Sequence, residues 1–116
     1  MAIQGVFYVY AAVSDLARAK KFYGETLGFR LNTDEPYVGG FWFGSGYLVI
    51  GAMAPATGSG GTHVAVRVDD VDAEHSRLAQ RGVAVGPVQD QPWGERNFRF
   101  SDPDGNVWVY AQPIET

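Results

Sequence analysis

The 116 residues hold two histidines, no cysteine and a scatter of carboxylates, and any metal or nucleophilic chemistry must be built from these. His63 is the more pointed histidine. It heads an alternating run, His63-Val64-Ala65-Val66-Arg67-Val68, that passes straight into Asp69-Asp70. Alternation sends the three valines to one face and His63, Ala65 and Arg67 to the other. There an imidazole has three roles open to it: metal ligand, hydrogen-bonding or stacking group toward a bound molecule, or polar residue satisfied by solvent or core. His75 sits between Glu74 and Arg77 in a helical pattern and reads as a solvated surface residue. With two histidines and no nucleophile elbow, a Ser-His-Asp arrangement cannot be placed. Lack of cysteine excludes disulfides, thiolate metal sites and thiol nucleophiles. The glycine clusters Gly39-Gly40 and 58–61 lack a following Gly-Lys-Ser/Thr, so they are not phosphate loops.

Composition narrows the partners. The formal charge is −4 with no basic cluster, which argues against nucleic acid and favours a neutral or cationic small molecule. No apolar stretch is long enough to span a bilayer, and MAIQGVFYVY has no basic region ahead of a long apolar run. With no cysteine, the expected location is the cytoplasm.

The elements that position these residues come in two copies. Tyr8-Val-Tyr-Ala-Ala-Val-Ser-Asp-Leu16 echoes His63-Val-Ala-Val-Arg-Val-Asp-Asp-Val71. Each reads as a half-buried strand entering a helix capped by Asp15 or Asp70. Capping also accounts for Ser14-Asp15 and Asp69-Asp70 without invoking acid–base work. Leu16, Ala19, Phe22, Tyr23 and Leu27 form the first helical stripe, stopped by Gly28. Val71 and Leu78 form a weaker second one, stopped by Gly82. Strand-like runs follow each helix, around Gly44-Ser45-Gly46 and around Pro103-Asp104-Gly105. The second turn should set Arg99 opposite Val109 and Phe100 opposite Trp108. Phe98, Phe100, Trp108 and Tyr110 then share a helix-covered face, and Asn97, Arg99, Val107 and Val109 share the other. The expected fold is α+β: two tandem βαβββ units, 1–54 and 62–116, joined by a linker at 55–61 in one domain of 116 residues. The units form an incurved mixed sheet with helices on its convex side, and a cup on the other.

The segments Val13–Phe29, His63–Ala73 and Pro92–Tyr110 resemble the glyoxalase / bleomycin-resistance / extradiol-dioxygenase superfamily, the vicinal oxygen chelate fold. Metal-dependent members hold a divalent ion through His or Glu on the first and last strands of each unit. Carried onto this sequence, those positions are Tyr8, His63, Val109 and either Val49 or Ile50. One imidazole, one phenol and aliphatics are a poor donor set for a dication. The resemblance therefore implies the metal-free, bleomycin-resistance-like branch, with no metal and no cofactor. Such proteins sequester an aromatic or cationic antibiotic-like molecule as homodimers. The expected ligand-binding residues are Tyr8, Tyr10, Trp42, His63, Trp93, Arg99 and Val109, and none is expected to be catalytic. Trp93, in the loop Gln89-Asp-Gln-Pro-Trp-Gly-Glu-Arg96, has a loop tryptophan's freedom to meet a ligand, an interface or a sheet edge. The alternative is an enzyme of the same fold, a lyase, isomerase or dioxygenase. It would use His63 or Tyr8 as acid or base, or a metal site hidden from this reading.

Overall fold

The computed structural model describes residues 2, 4–52 and 62–114. The expected linker at 55–61 lies outside the described residues. The chain divides into two compact units, Met1–Gly58 and Ser59–Thr116.

The first unit runs β1 (Val9–Ala12), α1 (Leu16–Lys21), β2 (Arg30–Glu35), β3 (Val38–Phe43) and β4 (Gly46–Gly51). Its sheet has the order β1-β4-β3-β2, with β1 parallel to β4 and the other pairs antiparallel. The second unit repeats the plan with β5 (His63–Arg67), α2 (Val71–Gln80), β6 (Gln89–Gln91), β7 (Glu95–Ser101) and β8 (Val107–Pro113), ordered β5-β8-β7-β6. Both units are thus βαβββ, with mixed sheets forced by a helical crossover between parallel strands.

Both helices begin as expected. Asp15 accepts from the Arg18 N–H at 3.0 Å, and Asp70 from the Ala73 N–H at 3.1 Å, so each carboxylate satisfies an otherwise orphaned amide. The first helix departs from the single regular stripe. After Lys21 it widens into a π-helical turn, Phe22–Thr26, where the Leu27 N–H donates to the Phe22 carbonyl at 2.9 Å. Gly24 lies in this wide turn, and a Cβ there would meet the Phe41 ring at 3.3 Å. The widened turn therefore lies close against β3, and Tyr23 and Leu27 stay buried on the same side as Ala19.

Each core forms under its helix. In the first unit Ala11, Phe41, Leu48 and Ile50 of the sheet are buried with Tyr23. In the second, Phe98, Phe100, Trp108 and Tyr110 are buried together, and Phe98, Phe100 and Tyr110 meet edge-on or tilted at 5.1–6.1 Å. Burial pushes the Tyr110 phenol far above its ordinary range, so it stays neutral. His75 is not a solvated residue. Its Nε2 lies 2.9 Å from the Gly86 carbonyl and its ring packs edge-on to Phe98 at 5.0 Å.

The turn after β7 carries a buried polar knot. Asp102 and Asn106 are 5% and 4% exposed. Asp102 Oδ1 accepts from the N–H groups of Asp104 and Asn106, both at 2.9 Å, and Oδ2 accepts from Asn106 Nδ2 at 2.8 Å. Gly105 takes φ of 86° to close the loop, a conformation glycine adopts without steric penalty. Asn106 Oδ1 then accepts from the Thr62 N–H at 3.2 Å, tying the turn to the start of β5. Asp102→Ala strips the acceptors from three donors and should lower unfolding stability by about 2–4 kcal/mol. Urea denaturation of that variant checks this, and a change within error of zero contradicts the assigned role.

Candidate functional site

Alternation leaves each sheet a second face, opposite its helix. In the first unit this face is aromatic. Phe41 is buried against Tyr23, and Phe43 stacks on Phe29 at 5.3 Å, so Trp42 points to the other side. It meets Tyr47 edge-on at 4.5 Å, and the Arg30 guanidinium lies 6.0 Å from its ring centre. Tyr47 lies over Gly40, where any Cβ would collide with its phenol. The phenol oxygen accepts from Asn32 Nδ2 at 2.9 Å and shares a 3.1 Å hydrogen bond with the Thr33 hydroxyl. Tyr10 packs over Gly51 in the same way, with its oxygen 2.8 Å from where a Cβ would stand. Tyr8 and Tyr10 are 51% and 38% exposed. The register pairs Tyr10 with Val49, while Ile50 is fully buried on the helix side, so Val49 is the cognate of Val109, which pairs with Ala65.

The matching face of the second unit is differently made. Successive rows across it are His63 beside Val107, Ala65 beside Val109 and Arg99, Arg67 beside Ala111 and Asn97, then Pro113 beside Glu95. His63, Arg67 and Arg99 are exposed, and among the described residues none of their side chains makes a hydrogen bond or ion pair. The one carboxylate on these rows, Glu95, accepts from Asn97 Nδ2 at 2.6 Å, and Asn97 Oδ1 accepts from Gln91 Nε2 at 3.2 Å. This face is basic although the whole chain carries −4.

A cleft of about 320 Å³ opens at one end of that face, lined by Ala65, Arg67, Trp93, Glu95, Ala111 and Pro113 among others. Of the expected binding residues it contains Trp93 alone. His63, Arg99 and Val109 lie on the rows beyond it, Tyr10 and Trp42 belong to the first unit's face, and Tyr8 precedes β1 beside Phe7. Arg67 and Glu95 are the cleft's ionisable side chains, and neither was among the expected ligand residues, although their strand parity with His63 and Arg99 was the available signal. An adjoining polar groove is occupied by ion pairs, Arg96 to Asp90 at 2.8 Å and to Asp72 at 3.0 Å. A hollow beside α1 is bordered by Lys20, which bonds Asp34 at 2.6 Å and the Glu35 carbonyl at 2.7 Å. The cleft at Trp93 is where an unengaged cation and an exposed ring meet.

The four repeat-related positions hold Tyr8, Val49, His63 and Val109, and two valines cannot ligate an ion. Among the described residues no three His, Asp or Glu side chains come together as a metal-binding group. Among the described residues no helix is long and apolar enough to cross a membrane.

Residues 5–110 match the family model described as Glyoxalase/Bleomycin resistance protein/Dioxygenase superfamily. Among solved structures, TnmS3, an antibiotic binding protein from Streptomyces sp. CB03234, is 41% identical with a TM-score of 0.85, over 97% of this chain and 98% of that one. A glyoxalase/bleomycin resistance protein from the same organism is 39% identical with a TM-score of 0.77, over 90% and 97% of the two chains. An uncharacterized protein of Mycobacterium bovis is 39% identical over 66 residues, 54% of this chain but only 43% of that relative's length.

The three tryptophans differ sharply in setting: Trp93 is 67% exposed, Trp108 is 1% exposed, and Trp42 lies between them. Trp93→Phe should therefore remove most of the emission that acrylamide quenches readily. Stern–Volmer slopes for the two proteins check this, and equal slopes contradict the placement of Trp93.

Proposed function

We propose that this chain, which belongs to the Glyoxalase/Bleomycin resistance protein/Dioxygenase superfamily, is a metal-independent binding protein that sequesters an aromatic, antibiotic-like molecule. The observation that carries the reading is the exchange of donors for hydrocarbon at the repeat-related positions. Val49 and Val109 stand where the metal-dependent pattern needs carboxylate or imidazole. His63 and Tyr8 alone leave a dication under-coordinated. Aromatic side chains are present instead: Tyr10, Trp42 and Tyr47 on the first unit's face with Tyr8 just ahead of β1, and Trp93 at the end of the second. Exposed rings stack well on flat ligands and lose little conformational entropy on binding. The similarity to TnmS3, an antibiotic binding protein, supports a binding role over a catalytic one. The seven proposed contacts are Tyr8, Tyr10, Trp42, His63, Trp93, Arg99 and Val109. Arg67 joins them as a lining residue of the cleft.

The reading extends to assembly and location. Tyr8, Tyr10 and Trp93 are exposed on the single chain, together with Phe7 at 91%. Exposed rings in this number fit a homodimer whose ligand is covered by both copies, and the cysteine-free composition fits the cytoplasm.

Tryptophan fluorescence titration against bleomycin-, mitomycin- and quinone-type drugs tests the function. At least one class should change the emission with saturation at micromolar concentration, and Trp93→Ala should weaken it about tenfold, as loss of one stacking ring does. Absence of any response up to high micromolar drug contradicts sequestration.

A further inference from the structure

We infer that the cleft beside Trp93 selects aromatic ligands bearing an acidic group, the flat oxyanion meeting Arg67; this rests on the sequestration reading and refines it. The net charge of −4 argues for the opposite preference, a cationic ligand. Charge acts locally, however, because salt screens exposed groups beyond about 8 Å at physiological ionic strength. What matters is the charge near the cleft: Arg67 and Glu95 in its lining, and Asp69 and Asp90 in the groove that Arg67 also borders, where Asp90 is held by Arg96.

Arg67 differs from four other cations of the chain. Arg18 donates to Ser14, Lys20 to Asp34, Arg77 to Glu74, and Arg96 to both Asp72 and Asp90. The Arg67 guanidinium makes no such contact among the described residues, so its planar fork of donors remains available. Glu95 is the only carboxylate lining the cleft, and it is already engaged by Asn97. Farther along the face stand two more unengaged basic side chains. His63 is four residues from Arg67 on the same strand, about 13 Å away, and Arg99 is two strands across, about 10 Å laterally. Both stand beyond the screening distance, so the selection rests on Arg67.

The rest of the lining supplies the aromatic half of the preference. Trp93 offers its ring at the cleft edge, and Ala65, Ala111 and Pro113 form an apolar wall next to Arg67. A volume of about 320 Å³ is near the lower end for small-molecule sites, suited to a fused two- or three-ring molecule. Such a molecule can lie against Trp93 and the apolar wall while its acid takes the guanidinium fork in two parallel hydrogen bonds. A cationic ligand in the same position would meet Arg67 head-on.

Calorimetric titration of the full chain at low salt with 2-naphthoate, 2-naphthamide and 2-naphthylmethylammonium tests this. The expected order places naphthoate about tenfold tighter than naphthamide, the scale of one charge-assisted pair at a partly exposed site, and the ammonium compound last. Arg67→Gln should abolish the preference for the acid while naphthamide binding persists, and Arg67→Lys should restore part of it. Glu95→Gln should widen it. Because Arg67 is exposed and unengaged, its variants should melt with the parent protein. Naphthamide or the ammonium compound binding as tightly as naphthoate, or an acid preference that survives in Arg67→Gln, overturns the inference and leaves sequestration standing. Failure of all three to bind overturns the inference, while sequestration stands or falls by the drug titration.

Discussion

The chemistry of each unit follows from one packing constraint: a sheet can bury only one face under its helix. In the second unit Phe98, Phe100, Trp108 and Tyr110 take the covered face. Each fully buried ring contributes about 2–3 kcal/mol, and shifting the register by one residue would turn all four outward. The strand period of two then leaves no choice about the rest. His63, Arg67, Glu95, Arg99 and Val109 must share the uncovered face because the aromatics have claimed the other. The first unit obeys the same rule with Phe41, Leu48 and Ile50 inside and Tyr10, Trp42 and Val49 outside.

What the uncovered faces carry decides the chemistry. The fold supports both metal-dependent enzymes and binding proteins, so architecture alone does not choose between them. The choice lies in the side chains at equivalent positions of the two units. Here the last strands contribute Val49 and Val109, the first strand of the second unit contributes His63, and Tyr8 stands just ahead of β1. In the proposed reading, both surfaces meet a flat molecule by contact and hydrogen bonding. Glycines shape one of them: Gly40 and Gly51 let Tyr47 and Tyr10 lie flat on the backbone, and Asn32 and Thr33 hold the Tyr47 phenol in place. The second surface is the more polar, and its basic character is hidden in the chain's overall acidity.

Much of this architecture is legible in the sequence because its signals are local and strong. The Asp15 and Asp70 caps, the Pro103-Asp104-Gly105 turn and the pairing of Arg99 with Val109 all follow from residue type and spacing. The turn even fixes which aromatics are covered. Features set by tertiary contact are less accessible. The π-helical turn at Phe22–Thr26, where Gly24 lies close to the Phe41 ring, leaves no mark in the periodicity. His75 carries a helix-surface pattern, yet the Gly86 carbonyl and the Phe98 ring come to it from distant positions. Val49 and Ile50 could not be separated until the β1–β4 register was known, because the run Tyr47-Leu-Val-Ile-Gly51 has no strict alternation. The cleft itself is a case of the same kind. Its parts come from β5, β7, β8 and the loop at Trp93, and only their pairing brings Arg67, Trp93 and Glu95 together.

Metal content measures the central claim most directly. Purified protein, mildly dialysed and analysed for divalent metals, should retain far less than one ion per chain, since imidazole and phenol alone hold a dication weakly. A tightly kept, stoichiometric zinc, iron, nickel or manganese ion, lost on substituting His63, would contradict this and turn the molecule into a metalloenzyme.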